Sequence, residues 1–174
     1  MIQKLLLLYL LFLVFACRRE ADPVQKKQAW SDAASVNYNQ ELSVREELKI
    51  QTFLAHYTDL KMHKTSSGLR YFVYQTVSTQ APIAKEGQQA VVQLSISLLD
   101  GRQCYQTKAD EVERFTIAKS EKESGIHEAV QYMRVGERAK LLLPSYLGHG
   151  LLGDRAKIPP QSILYIDIYL KAIE

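Results

Sequence analysis

Two stretches of this chain keep a strict two-residue alternation. In the first, Val92, Leu94, Ile96 and Leu98 alternate with Gln93, Ser95 and Ser97; in the second, Leu164, Ile166, Ile168 and Leu170 alternate with Tyr165, Asp167 and Tyr169. Side chains along a strand point to opposite faces in turn, so such a stretch gives one sheet face to a core and the other to polar surroundings. Asp100-Gly101 ends the first stretch with a tight-turn signal that returns the chain antiparallel. Residues 69–74, β-branched and aromatic, add an earlier strand, with Pro82 in the turn after it. Helical spacing returns at Ile126, Ala129, Val130 and Met133, enough for one short helix. The expected class is α+β: a curved antiparallel sheet around one short helix, with a second helix appended on the N-terminal side.

That appended helix is expected to start near Ser43, whose hydroxyl can cap the first turn while Glu46, three residues on, completes a capping box. Ile50, Phe53, Leu54 and Tyr57 then share one face, which must bury against the sheet domain or against a dimer partner. The helical segment is placed at 41–66 and the sheet domain at 67–174. His56 and His63 are too far apart for a shared metal, and no group of histidines and cysteines has metal-ligand spacing. No metal and no cofactor are expected.

The N-terminus reads as an export signal. Lys4 precedes an apolar run over residues 5–16, too short for an ordinary spanning helix and suited to the core of a secretory signal. The run ends in Val14-Phe15-Ala16-Cys17, which resembles the lipobox of bacterial lipoproteins. That resemblance implies a signal peptide over 1–16, cleavage before Cys17, and lipids on Cys17; the competing readings are an uncleaved anchor or a chance cysteine after a plain signal. Residues 17–40 read as a lipid-anchored tether, polar and without sustained period, in which Trp30 lies at a membrane interface or docks on the domain. Arg18-Arg19 would face anionic headgroups or simply solvent. Cys104 is the other cysteine, so an intrachain disulfide would need an unmodified Cys17. Twenty-two basic against 19 acidic side chains give a net charge of +3, a balance that points to no nucleic-acid partner.

Several spacings match one family. Phe115-Thr116-Ile117, the helix ending at Met133, Val135-Gly136, Arg138-Ala139-Lys140, Ile158-Pro159-Pro160 and Leu164 follow one another without gaps in the order found in FKBP-type peptidyl-prolyl isomerases. Val91-Val92 and Leu98-Leu99-Asp100-Gly101 fall where that family has its strand and hairpin, so the resemblance is strongest over residues 87–173. It implies an FKBP-like domain that rotates X-Pro bonds in proline-containing client proteins. Such rotation needs no nucleophile, metal or proton relay. Its barrier of about 18–20 kcal/mol reflects lost amide resonance, and an enzyme lowers it by binding the twisted amide better than either planar form.

The family pocket has an aromatic floor, with a tyrosine and an aspartate on the carbonyl side. Carried over by position, the resemblance puts Leu94 at the strand tyrosine, and Cys104 and Tyr105 at a phenylalanine-aspartate pair. Ile126 takes the place of the floor tryptophan, His149 of the loop tyrosine and Ile166 of the last-strand phenylalanine, while Ile158 keeps the family type. Lys122 and Glu123 fall on an aliphatic pair whose backbone usually bonds ligand carbonyls, and as residues they read as a solvated face. One inserted residue in the turn would instead put Tyr105 at the phenylalanine and Gln106 at the aspartate; aligning Pro144 with the loop-opening proline would put Gly148, not His149, at the tyrosine. Leu94, Ile126 and Ile166 read more simply as plain core than as ligand contacts, and Cys104 as a small buried hydrophobe or a reactive thiol. With most pocket aromatics replaced, isomerase activity is expected to be weak or narrowed. The other readings are a non-catalytic chaperone or binding module on the same fold, and a structural subunit of an envelope complex docking through residues 43–57. Tyr105 after the turn, the Pro144-Ser145 loop opening and Gly153-Asp154 further resemble the lipoprotein isomerases of gliding bacteria, which implies an outer-membrane lipoprotein facing the periplasm.

Overall fold

The computed structural model describes residues 32–174. The segment read as a signal peptide over 1–16, Cys17, Trp30 and the rest of the expected tether up to residue 31 lie outside the described residues. The chain divides into a unit Met1–Asn37, of which the described part is the opening of a helix, and a unit Tyr38–Glu174 that holds everything discussed below. No described helix is long and apolar enough to cross a membrane.

The helix α1 runs over Asp32–His56, followed by β1 (His63–Lys64), β2 (Arg70–Gln75), β3 (Gln89–Leu98), β4 (Gln103–Gln106) and β5 (Glu113–Thr116). Helix α2 (Ser124–Val130), β6 (Arg138–Leu143), a 3-10 turn (Ser145–Leu147) and β7 (Leu164–Ile173) complete the order. The strands form one antiparallel sheet in the order β1-β2-β6-β7-β3-β4, with β5 paired to the other half of β3. Both alternating stretches are strands, β3 and β7, and they pair with each other from Leu98↔Leu164 to Ala90↔Ile173. Their inward residues Leu94, Ile96, Ile166 and Ile168 share one core with Ile126, Ala129, Val130 and Met133 around α2. Helix α2 sits close on β6 because Gly125 faces Leu143: a Cβ there would lie 2.6 Å from the Leu143 side chain. The α+β expectation of a curved antiparallel sheet around one short helix, with an appended helix, holds.

Three features differ from expectation. The appended helix does not begin near Ser43, and residues 32–40 are helix and not tether. Ser43 is exposed in mid-helix, and Glu46 is no cap: it is buried, 2% exposed, and accepts a hydrogen bond from the Ser145 amide at 2.9 Å. The buried stripe of α1 runs through Leu42, Glu46 and Ile50 with half-buried Tyr38 before them, a spacing of four residues. A charged residue inside that stripe interrupts the apolar period, so the sequence pattern shows its second half only. Second, β1 is an unexpected two-residue strand paired to β2. Third, β6 contains the unbroken run Leu141-Leu142-Leu143, all fully buried, because the sheet is covered on both faces at that point. Leu141 and Leu143 face α2, whereas Leu142 joins Ile50 and Ile163 in a second cluster flanked by Phe53, Leu54, Met62 and Tyr165. The helix face therefore packs on its own domain. Ile50 has no exposed surface and Phe53 lies 5.4 Å from the Tyr165 ring, but Tyr57 is 54% exposed, with its ring against Phe53.

Candidate functional site

The hairpin between β3 and β4 carries a bulge. Ser97 pairs with Gln103 and Ile96 with Tyr105, which leaves Cys104 as the extra residue. The bulge lets two consecutive side chains serve the concave face. Cys104 is buried in the core, and Tyr105 stands half-buried beside Ile96. An open cleft of about 430 Å³ lies beyond them. One wall is apolar, formed by Leu94, Ile96 and Tyr105; the other carries Glu111, Glu113 and Lys122.

Tyr105 is fixed by the long loop between β6 and β7. Its hydroxyl donates to Asp154 Oδ2, and the Lys157 ammonium lies 5.0 Å from its ring centroid. The bond to Asp154, with partial desolvation, pushes the phenol above its ordinary pKa. Asp154 organises the loop in turn: Oδ1 accepts from the amides of Ala156 and Ile158, each at 2.8 Å. Desolvation works against ionisation there, but the Tyr105 phenol and these amides outweigh it and hold the carboxyl well below the usual range. Gly153 makes the turn possible. Its φ is +66°, and a Cβ would come within 2.2 Å of the Ile158 carbonyl oxygen.

The opposite wall is a charge network. Lys122 Nζ lies 2.5 Å from Glu113 and 3.3 Å from Glu123, and His149 Nε2 lies 3.0 Å from the other oxygen of Glu123. The Lys122 and Glu123 side chains are only 14% and 9% exposed. The expected solvated face is therefore replaced by paired, mostly buried charges, which persist because each has an opposite partner in reach. The ammonium has three N–H groups and two carboxylate neighbours, so one N–H is free to point elsewhere.

Of the residues singled out in the sequence, Leu94, Tyr105, Gln106 and Lys122 line the cleft. His149 is held at Glu123, outside the cleft's lining. Ile126, Ile158 and Ile166 are buried and do not line the cleft, so all three are core and not its floor. Ile126 and Ile166, which stand where the resemblance implies aromatic rings, are packed without exposed surface, so no opening remains at those two positions. Cys104 belongs to the core as well. Burial pushes its thiol up, and its sulfur faces the Lys157 carbonyl at 3.6 Å.

Two contributors escaped the sequence reading. Glu113 has no distinguishing pattern around it in the sequence, and only the fold brings it to Lys122. His127 on α2 is buried, receives the Ala118 amide on Nδ1 at 3.0 Å and donates from Nε2 to the Ser120 carbonyl at 3.1 Å. It thereby fixes the segment that leads to Lys122, and its place within the apolar spacing of α2 was the available signal. Among the described residues no group of acidic, histidine or cysteine side chains could hold a metal.

The pattern of the FKBP-type peptidyl-prolyl cis-trans isomerase family matches residues 81–171. The chain is 35% identical over 92 residues to peptidyl-prolyl cis-trans isomerase Fkbp12 of Drosophila melanogaster, covering 52% of this chain and 84% of that protein. It is 44% identical over 50 residues to FK506-binding protein 1B of Neurospora crassa, covering 29% and 44% respectively. Among solved structures, a peptidyl-prolyl cis-trans isomerase from Pseudomonas syringae pv. tomato superposes with a TM-score of 0.63 at 21% identity, covering 78% of this chain and 95% of that one. AtFKBP13 superposes with a TM-score of 0.60 at 23% identity, covering 66% and 99%. At these identities the two structures speak to the fold alone.

Proposed function

Because this chain belongs to the FKBP-type peptidyl-prolyl cis-trans isomerase family, we propose that it rotates X-Pro bonds of client proteins in the cleft between Tyr105 and Lys122, with a weak or narrowed activity. The carrying observation is the two-sided cleft, apolar at Leu94, Ile96 and Tyr105 and charged at Lys122. A proline ring laid on the apolar wall is withdrawn from water. As the amide twists, its carbonyl oxygen turns out of plane, and a donor placed for the twisted form lowers the barrier. Lys122 is the donor on the facing wall. The narrowing follows from the pairing of that ammonium with Glu113 and Glu123, since a client must compete with two carboxylates.

The test is the refolding of a proline-limited protein, together with isomerisation of short proline peptides, in the presence of the chain from residue 18 onward. A rate above the uncatalysed control that falls with Lys122→Met supports the reading; a rate equal to the control refutes it. A second reading, a non-catalytic binding module on the same fold, is favoured by the closed core beneath the cleft at Ile126 and Ile166. It would show as client binding without acceleration.

The proposal extends to place. Ala16-Cys17 after a short apolar run supports lipidation at Cys17 and attachment to a bacterial envelope membrane, most simply the outer membrane facing the periplasm, where the clients would be exported proteins in the course of folding. Cys17→Ser should move the protein from the membrane to the soluble fraction. Unchanged sedimentation with membranes would overturn the anchor.

A further inference from the structure

Helix α1 lies outside the segment that matches the family, yet it grips the loop that holds both walls of the cleft. The loop leaves β6 at Pro144 and reaches β7 at Leu164. On the way it supplies Asp154 to Tyr105 and His149 to Glu123, which sits beside Lys122. Its two ends are tied to one stripe of α1. At the start, Glu46 Oε2 accepts the Ser145 amide at 2.9 Å. The Ser145 carbonyl then accepts the amides of Gly148 at 2.9 Å and Gly150 at 2.7 Å, so the first turn of the loop hangs on this residue. The Gly150 carbonyl accepts the Gln161 amide at 3.0 Å. At the far end, the Gln161 side chain donates to the Tyr38 hydroxyl at 2.6 Å. Tyr38, Leu42 and Glu46 are four residues apart, and Leu42 is buried between the two ties.

A carboxylate 2% exposed and spent on a single backbone amide is a poor way to stabilise a helix, since its desolvation is costly. It is an effective way to fix a loop, because the bond is charge-assisted and directional. We infer that Glu46 is a positioning residue for the isomerase site, acting through Ser145 and the 144–161 loop on Tyr105 and Lys122, and that α1 is part of the machinery of this enzyme.

The rate readout rests on the isomerase reading; the second readout does not. Glu46→Ala should lower kcat/KM roughly tenfold or more, mostly through kcat, as expected when a wall of a site is displaced by a fraction of an ångström. It should also speed hydrogen exchange at the amides of Gly148 and Gly150. Glu46→Gln keeps an acceptor oxygen and should restore both to near wild type, while Leu48→Ser, on the exposed side of α1, should change neither. Should Glu46→Ala fail to fold, Tyr38→Phe, which removes the hydroxyl bonded to Gln161, tests the other tie by faster exchange at Gln161. Wild-type rates and wild-type exchange in Glu46→Ala overturn the inference, as does a Gln variant as impaired as the Ala variant. Wild-type protein no faster than the uncatalysed control would refute the isomerase reading, and the positioning role would then stand or fall on the exchange rates.

Discussion

At the scale of single residues, the site is defined by where size was lost and charge gained. Ile126 stands where the family resemblance implies a tryptophan, and the core has closed around it. Reintroducing the ring does not restore a floor. Ile126→Trp should overpack α2 against β3 and β7 and destabilise the protein by about 1–3 kcal/mol, read as a lower melting temperature without a faster isomerase rate. Tyr105 behaves differently because it is both wall and strut. Tyr105→Ala removes the apolar surface of the cleft and also the phenol bound by Asp154. The isomerase rate should fall about tenfold, equivalent to ~1.4 kcal/mol of lost twisted-amide binding, and the melting temperature should fall with it. Tyr105→Phe, which keeps the wall, separates the two effects: a rate close to wild type with a lowered melting temperature is the expected result.

At the scale of elements, α1 is held by apolar packing, by the hydrogen bonds of Glu46 and Tyr38 to the loop, and by Glu47, which pairs with both Arg70 and Lys64. Ile50 is wholly buried against Leu142 and Ile163, so Ile50→Ala should cost about 2–5 kcal/mol. Phe53 is half-buried, and Phe53→Ala should cost less than a fully buried ring would; urea unfolding of both variants gives the comparison. Glu47 adds a pH dependence. The Arg70 guanidinium, 2.5 Å away, draws its carboxyl pKa down from 4.5 to about 2, with desolvation opposing and Gln51 and Lys64 assisting. A depressed folded pKa means that the unfolded chain binds the proton more readily, so this contribution is complete above about pH 4.5 and disappears as the pH falls toward 2. Glu47→Gln should destabilise at neutral pH and lose its difference from wild type over that interval. A constant difference between the two urea midpoints would show that the pair does not couple α1 to β2.

At the scale of the whole molecule, the described unit from Tyr38 onward behaves as a family domain with an added buttress. Beginning the chain at Tyr57 would remove Ile50, Glu46 and Tyr38 together, uncover Leu142 and Ile163, and leave the Ser145 amide without its acceptor. Such a chain should melt at lower temperature and bind a hydrophobic dye; a melt identical to the full chain would show that the sheet and α2 are self-sufficient. Strands β2, β3 and β7 and helix α2 were legible in the sequence because their signal is local. The alternation in β3 and β7, the turn at Asp100-Gly101 and the spacing of α2 each report which side of a short segment meets a core, and burial acts on every such segment in the same way. Half of α1 was legible for the same reason, at Ile50, Phe53 and Leu54. Its start was not, because a buried Glu46 has no local signature: its partner, the Ser145 amide, is 99 residues away. The cleft followed the same division. Sequence alone determined that the chain has the spacings of an isomerase fold with altered pocket side chains. Tertiary structure decided that the replaced floor is closed, that Lys122, Glu113, Glu123 and His149 form one network, and that Tyr105 is pinned to Asp154. Apolar burial can be read one segment at a time, whereas a buried charge or hydrogen bond exists only where two distant segments meet, and the sequence does not record that meeting.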